Sequence, residues 1–280
     1  MPIYSNIGGG QSQLPSLLTN INGSSKNLDS AYGNISGTSK QIFQSYVLLS
    51  NISAGSIVQF NTTLSGTNQP TEFIVLGESN AKNTILLLQK YLYGNKVLFN
   101  STTDSEYSTS DIDKYLSADA AESNSYRSVL PEIIRNCLVT TTVNSYSYNS
   151  NTMLHLSKDI FLMSATELGY FEDASSEWQE QASNIKDEGH SYYNILKKVT
   201  GYTNFKARSA VYFKPHYDGK WWTRSPADAT HVCSPDSTYG GIFQGAPNNE
   251  QSPKYVRPIL SFDPTALVDT TTTIPTIVGK

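Results

Sequence analysis

Residues 159–169 read Asp-Ile-Phe-Leu-Met-Ser-Ala-Thr-Glu-Leu-Gly. The run from Ile160 to Met163 is continuously apolar and short, the pattern of a strand buried on both faces. Directly after it, Ser164 can accept from the Glu167 amide while the Glu167 carboxylate reaches back, the reciprocal pair that opens a helix. Gly169 supplies a residue able to end that helix after one turn. A strand that runs straight into a short helix predicts a mixed class, α+β.

The segments on either side extend this reading. Upstream, Gly55–Phe60 (GSIVQF), Glu72–Gly77 (EFIVLG) and Asn83–Gln89 (NTILLLQ) predict three consecutive strands, the third buried on both faces. Ser110 precedes Asp111-Ile-Asp-Lys-Tyr-Leu116 as a helix cap, and residues 126–138 carry Val129, Leu130, Ile133, Ile134 and Cys137 at helical spacing around Pro131. Two helices covering a sheet are expected. Residues 171–202 are polar and charged, with Trp178 as their anchor, and predict a surface insertion. Downstream, KWWTRSP (220–226), Gly241-Ile-Phe243 and YVRPILSF (255–262) return to the core.

Composition narrows the function. The 280 residues include 24 acidic and 20 basic ones, a formal charge of -4, so the basic excess that binds nucleic acid is missing. Charged residues make up 16%, against about 25% in typical domains, and hydroxyls and amides carry the solubility. No run is long enough to span a membrane, and the first fifteen residues lack the basic and apolar regions of a secretion signal, which predicts synthesis in the cytosol. Cys137 and Cys233 stand 96 positions apart and predict two buried free thiols.

The ends differ from the middle. Residues 1–45 hold Gly8-Gly9-Gly10, Asn22-Gly23-Ser24-Ser25 and short apolar bursts, and predict an extended assembly arm that gains order from neighbouring molecules. The globular domain is expected at 46–268. Residues 269–280 (DTTTTIPTIVGK) predict a second extended segment, a C-terminal tail.

Catalysis needs convergent groups, and the sequence offers few. His155, His190, His216 and His231 lack helical metal spacing, and no nucleophile elbow is present. Asp111 with Asp113, Glu172 with Asp173, and Asp187 with Glu188 are paired acids in polar surroundings, expected to be solvated faces. A polysaccharide hydrolase is therefore the third reading, and no metal or cofactor is expected. Asn248, Asn249 and Glu250 could offer oxygen ligands, but their composition predicts a turn.

The ordered blocks GSIVQF, EFIVLG, NTILLLQK, YSTSDIDKYL, IFLMSATELG, WWTRSP and YVRPILSF carry a resemblance over about residues 46–268. The chain resembles a family of domains found in phages, prophages and secreted proteins of Gram-positive gut bacteria, with F-L-x-S-x-x-E, W-W-x-R-S-P and V-R-P motifs. That family is similar to the C-type-lectin-like fold. Departures are Thr223 for the usual Leu, Tyr255 for the Gly before Val256, and the longer segment 171–202. The resemblance implies a non-enzymatic virion protein that displays a C-type-lectin-like domain at a phage tail or baseplate and binds host polysaccharide. A capsid or tail decoration protein without a ligand is the alternative. Expected partners are other virion proteins, met through the N-terminal arm, and further copies of the chain.

Within this frame KWWTRSP acquires roles. If the segment runs as a strand, one of Trp221 and Trp222 faces the core and the other is exposed. A buried arginine needs a carboxylate, so Arg224 or Arg257 is expected to pair with Glu167 as a structural tie. Trp178, the exposed one of Trp221 and Trp222, Tyr239 and Phe243 are the expected stacking surface for sugar.

Overall fold

The computed structural model describes residues 3–7, 10–14, 18–21, 24–27, 30–35, 38–44, 46–60, 71–79, 83–118, 125–168, 185–189, 219–236, 241–251 and 253–280, the first six segments as backbone. The chain divides into two units, 1–47 and 48–280. In the first, six strands pair as three antiparallel hairpins: β1 (Ile3–Ile7) with β2 (Gly10–Leu14), β3 (Leu18–Ile21) with β4 (Ser24–Asn27), and β5 (Ser30–Ile35) with β6 (Thr38–Gln44). The expected extended arm is thus folded into strands.

In the second unit the elements follow as β7 (Val47–Leu48), β8 (Ile57–Phe60), β9 (Glu72–Glu78), β10 (Ile85–Gln89), β11 (Tyr93–Val97), α1 (Asp111–Ser117), α2 (Tyr126–Val129) and α3 (Glu132–Arg135). They continue as β12 (Thr141–Ser147), β13 (Thr152–Lys158), β14 (Ile160–Leu162), β15 (Pro226–Asp228), β16 (His231–Asp236), β17 (Gly241–Gly245), β18 (Lys254–Val256), β19 (Pro258–Phe262), β20 (Leu267–Asp269) and β21 (Thr276–Gly279). Eight of them form the central sheet, in the order β14-β19-β10-β9-β8-β21-β20-β7.

β19 and β10 are adjacent interior strands of this sheet and are buried at every position, as largely apolar runs require. The Phe60 ring of β8 meets that of Phe73 in the neighbouring β9 at a centroid distance of 4.5 Å and that of Phe262 in β19 at 6.1 Å, both tilted. A bulge between Leu86 and Leu87 shifts the β9 register beside Gly77, whose φ of 110° suits glycine.

The expected C-terminal tail is part of this sheet. β21 pairs in parallel with β8, Thr276 opposite Gln59 and Ile277 opposite Phe60, and antiparallel with β20. Its Thr276 and Ile277 are buried. β-branched residues fit a pleated surface, and the pairing partner lies in the same chain.

The α+β, C-type-lectin-like expectation is overturned. Among the described residues strands far outnumber helices, and the α-helices are three, of seven, four and four residues. Two local causes explain the loss of helix. Leu130 and Pro131 are extended, with ψ of 138° and 145°, so residues 126–138 form two single turns instead of one helix. After β14, the Ser164 and Glu167 pair closes reciprocally, with Glu167 N donating to Ser164 Oγ at 3.0 Å and Ser164 N to Glu167 Oε2 at 2.8 Å. The backbone follows with a Leu168 N to Ser164 O bond at 3.2 Å and remains a turn. α1 forms where its signal is complete: Ser110 Oγ accepts from Asp113 N, and Ile112 and Leu116 are buried.

Candidate functional site

The chain enters the interior at KWWTRSP by isolated contacts. Trp221 bridges Tyr255 in parallel, Trp222 N donates to Tyr255 O at 3.1 Å, and Thr223 N to Cys233 O at 3.2 Å. Because residues 221–225 are outside any ladder, strand alternation does not sort their faces. Both tryptophans are 0% exposed. The expectation of one outward ring is corrected, and neither ring can stack on a ligand.

Each ring carries its own cation. The Arg257 guanidinium sits 5.0 Å from the Trp221 ring centroid, and Lys254 Nζ 4.4 Å from that of Trp222. Trp222 Nε1 donates to Val97 O at 2.8 Å, and Phe99 meets the ring edge-on at 5.5 Å. Burial, with Lys220 and Lys96 nearby, brings the Lys254 ammonium down to about 8. A Cβ on Gly245 would lie 2.7 Å from Lys254 Nζ and 3.0 Å from the Trp222 ring, so a side chain there would displace the Lys254 ammonium from its place over the ring.

Arg224 is the polar centre of the interior. Its side chain and that of Glu167 are 1% and 0% exposed. Nη1 donates to Glu167 Oε2 at 2.6 Å and Nη2 to Oε1 at 2.5 Å, a two-pronged pair. The remaining donors reach three carbonyls: Nε to Asn144 O at 2.8 Å, Nη1 to Leu162 O at 2.6 Å, and Nη2 to Glu188 O at 2.7 Å. All five N–H groups of the guanidinium have acceptors. Arg224, and not Arg257, makes the tie with Glu167.

Glu188 completes this cluster. It lies inside the segment expected as a surface insertion, yet Glu188 is 1% and Ile185 2% exposed. Thr166 Oγ1 donates to Ile185 O at 2.7 Å, and Asn144 Nδ2 to Asp187 O at 3.0 Å, which fixes residues 185–189 against β12 and the 164–167 turn. Glu188 Oε1 accepts from Tyr146 N at 2.7 Å, and Oε2 meets Ser225 Oγ, which accepts from Ala165 N at 2.8 Å. Burial pushes the Glu188 carboxyl up to about 8, against the pull of Arg224 and Ser225. A Cβ on Gly189 would lie 2.4 Å from Glu167 Cγ and 3.0 Å from the Glu167 amide, so glycine is required beside Glu188. The expectation that Asp187 and Glu188 form a solvated pair holds for Asp187, which is exposed, and fails for Glu188.

The other sequence candidates are dispersed. Asp113 is buried and pairs with Lys158 at 2.6 Å, while Asp111 accepts from Ser101 N at 2.8 Å on the surface. Asn248, Asn249 and Glu250 form a turn, with Asn249 N bonded to Ala246 O at 3.3 Å and Gln251 N to Asn249 Oδ1 at 3.0 Å. Phe243 lies in β17 opposite Ser234, with its side chain outside the described set. Trp178, Tyr239, Glu172 and Asp173 fall outside the described residues. Among the described residues no group of three or more metal-ligating side chains assembles. Cys137 and Cys233 are buried and free, and burial pushes both thiols up.

One aromatic surface was missed. Tyr255 is half-buried and has Lys96 Nζ 5.4 Å from its ring centroid, with its own amide bonded to Lys220 O at 3.0 Å.

A family described as a domain of unknown function (DUF6273) matches residues 82–264. The chain belongs to that family. The DUF6273 segment supplies three adjacent strands of the central sheet, β14, β19 and β10, and with them Glu167, Arg224 and Glu188. The other five strands of the same sheet lie outside the segment. No curated protein and no solved structure matches the chain at a significant level.

Proposed function

We propose that the protein is a non-enzymatic structural component of a phage or phage-derived particle, held to the particle through residues 1–47. In this reading it displays the 48–280 unit to host-surface polysaccharide at a tail or baseplate. The observation that carries it is the division of the chain into a hairpin unit and a separate globular unit whose most buried charges serve cohesion. Arg224 gives its five donors to Glu167 and three carbonyls, an arrangement that supports rigidity and offers no N–H to a substrate. The resemblance of the ordered sequence blocks to phage and prophage domains supports the placement on a particle.

A stacking surface for sugar is available at Tyr255, with Lys96 adding positive charge beside its ring. That chemistry fits an anionic polysaccharide. Purified protein should bind host cells or an array of anionic glycans, and Tyr255→Ala should weaken this binding with the thermal transition unchanged. Full binding by Tyr255→Ala removes that surface. The burial of both Trp221 and Trp222 favours the second reading, a decoration protein without a ligand. Such a protein binds particles that lack it and no cells or glycans.

A further inference from the structure

The first 44 residues contain a repeat of 14 positions. Asn6-Ile7, Asn20-Ile21 and Asn34-Ile35 recur at that spacing, followed two residues later by Gly9, Gly23 and Gly37 and five further on by Leu14, Leu28 and Ile42. The hairpin registers repeat with the same period. The pairs closing the three loops are Ile7 with Gly10, Ile21 with Ser24, and Ile35 with Thr38. The next pairs are Asn6 with Gln11, Asn20 with Ser25, and Asn34 with Ser39. Gly-Gly, Asn-Gly and Ser-Gly stand between the closing pairs, the composition two-residue hairpin loops favour. Sequence period and backbone register therefore agree at each copy.

We propose that residues 3–44 are three copies of one 14-residue hairpin and that together they form a self-association module, whose partner is the same module in further copies of this chain. Each hairpin is its own two-stranded sheet, and such a sheet alone is marginal in water. Repeat units gain stability from neighbours that present matching positions. A segment of roughly 40 residues normally needs disulfides, a metal or oligomerisation to hold its shape. Residues 1–47 contain no cysteine and no histidine, with Asp29 as their single carboxylate, which leaves oligomerisation. Their charged residues are Lys26, Asp29 and Lys40, so copies meet without strong repulsion. Identical units also match one another by construction, the condition for a symmetric assembly. This deepens the attachment role given to residues 1–47, and the two can fail separately.

The test uses the full chain in sedimentation velocity over a concentration series. The wild type should sediment as an oligomer. Ile7→Asp, Ile21→Asp and Ile35→Asp should each weaken association by about tenfold or more, to similar extents, and the triple variant should be monomeric. Deleting residues 15–28, one full period, should preserve association at reduced strength, whereas deleting 15–25 should abolish it. A monomeric wild type, or an oligomeric triple variant, overturns the proposal. Trp178, Trp221 and Trp222 all lie beyond residue 47, so tryptophan fluorescence reports the globular unit separately. An unchanged fluorescence melting curve in the triple variant is expected. A lowered one shows the hairpins packing on their own globular unit and also overturns it. An oligomer that fails to join particles leaves the repeat inference intact and removes the virion reading.

Discussion

Two interiors exist side by side in residues 48–280. In the central sheet, β10 and β19 bury aliphatic side chains on both faces, and cohesion there is non-directional and proportional to area. Around Arg224, cohesion is directional: five donors, one carboxylate and three carbonyls have to coincide. The sheet can lose a methyl group and remain a sheet. The Arg224 cluster joins β12, β14, the 164–167 turn and residues 185–189 through one side chain, and loses all of them together.

The largest effect separates these two cases most clearly. Arg224→Ala leaves Glu167 buried without its cation and three carbonyls without donors, and should cost about 3–5 kcal/mol, read as loss of the cooperative transition in urea. Glu167→Ala added to it should cost little more, because the partner is already gone. A strictly additive double variant would mean that the pair is not a unit. Leu87→Ala, 0% exposed in β10, should cost about 2–5 kcal/mol with the transition still cooperative.

A smaller effect depends on pH. Unfolded, the Glu188 carboxyl releases its proton near its ordinary 4.5; folded, burial holds the proton up to about 8. Its contribution is therefore complete below about pH 4.5 and declines as pH rises through 8. Glu188→Gln keeps an uncharged group with the same reach. Its melting temperature should match the wild type at pH 4.5 and exceed it at pH 8, and an equal deficit at both would sink the assignment. The smallest effect is on the surface: Lys280 pairs with Asp263 but is half-exposed, so Lys280→Ala should change stability by less than about 1 kcal/mol.

What the sequence disclosed follows this same division. β8, β9, β10 and α1 were legible because their signals are local: alternation, a continuous apolar run, a serine cap. Glu167 was legible as a turn partner of Ser164 because that pairing lies within four residues, and as a buried carboxylate because a buried arginine needs one. Glu188 was not, since nothing in a polar stretch reveals that Tyr146, 42 positions away, donates to it. One of the two tryptophans was misjudged as exposed because alternation requires a ladder, and residues 221–225 have none. The overall class was misjudged because the helical spacing of residues 126–138 suggested one helix, whereas Leu130 and Pro131 divide that stretch into two single turns.

β21 sits inside the sheet, between β8 and β20, and Gln59 contacts Thr276 across 217 positions. During synthesis, then, β8 emerges from the ribosome long before its lateral neighbour exists, and one of its edges stays open until nearly the whole unit has been translated. A nascent chain halted before residue 276 is left with that edge exposed, a template for pairing with other chains. Premature stop codons near the end should therefore be read out as aggregation in the producing cell, well before any loss of the Arg224 cluster.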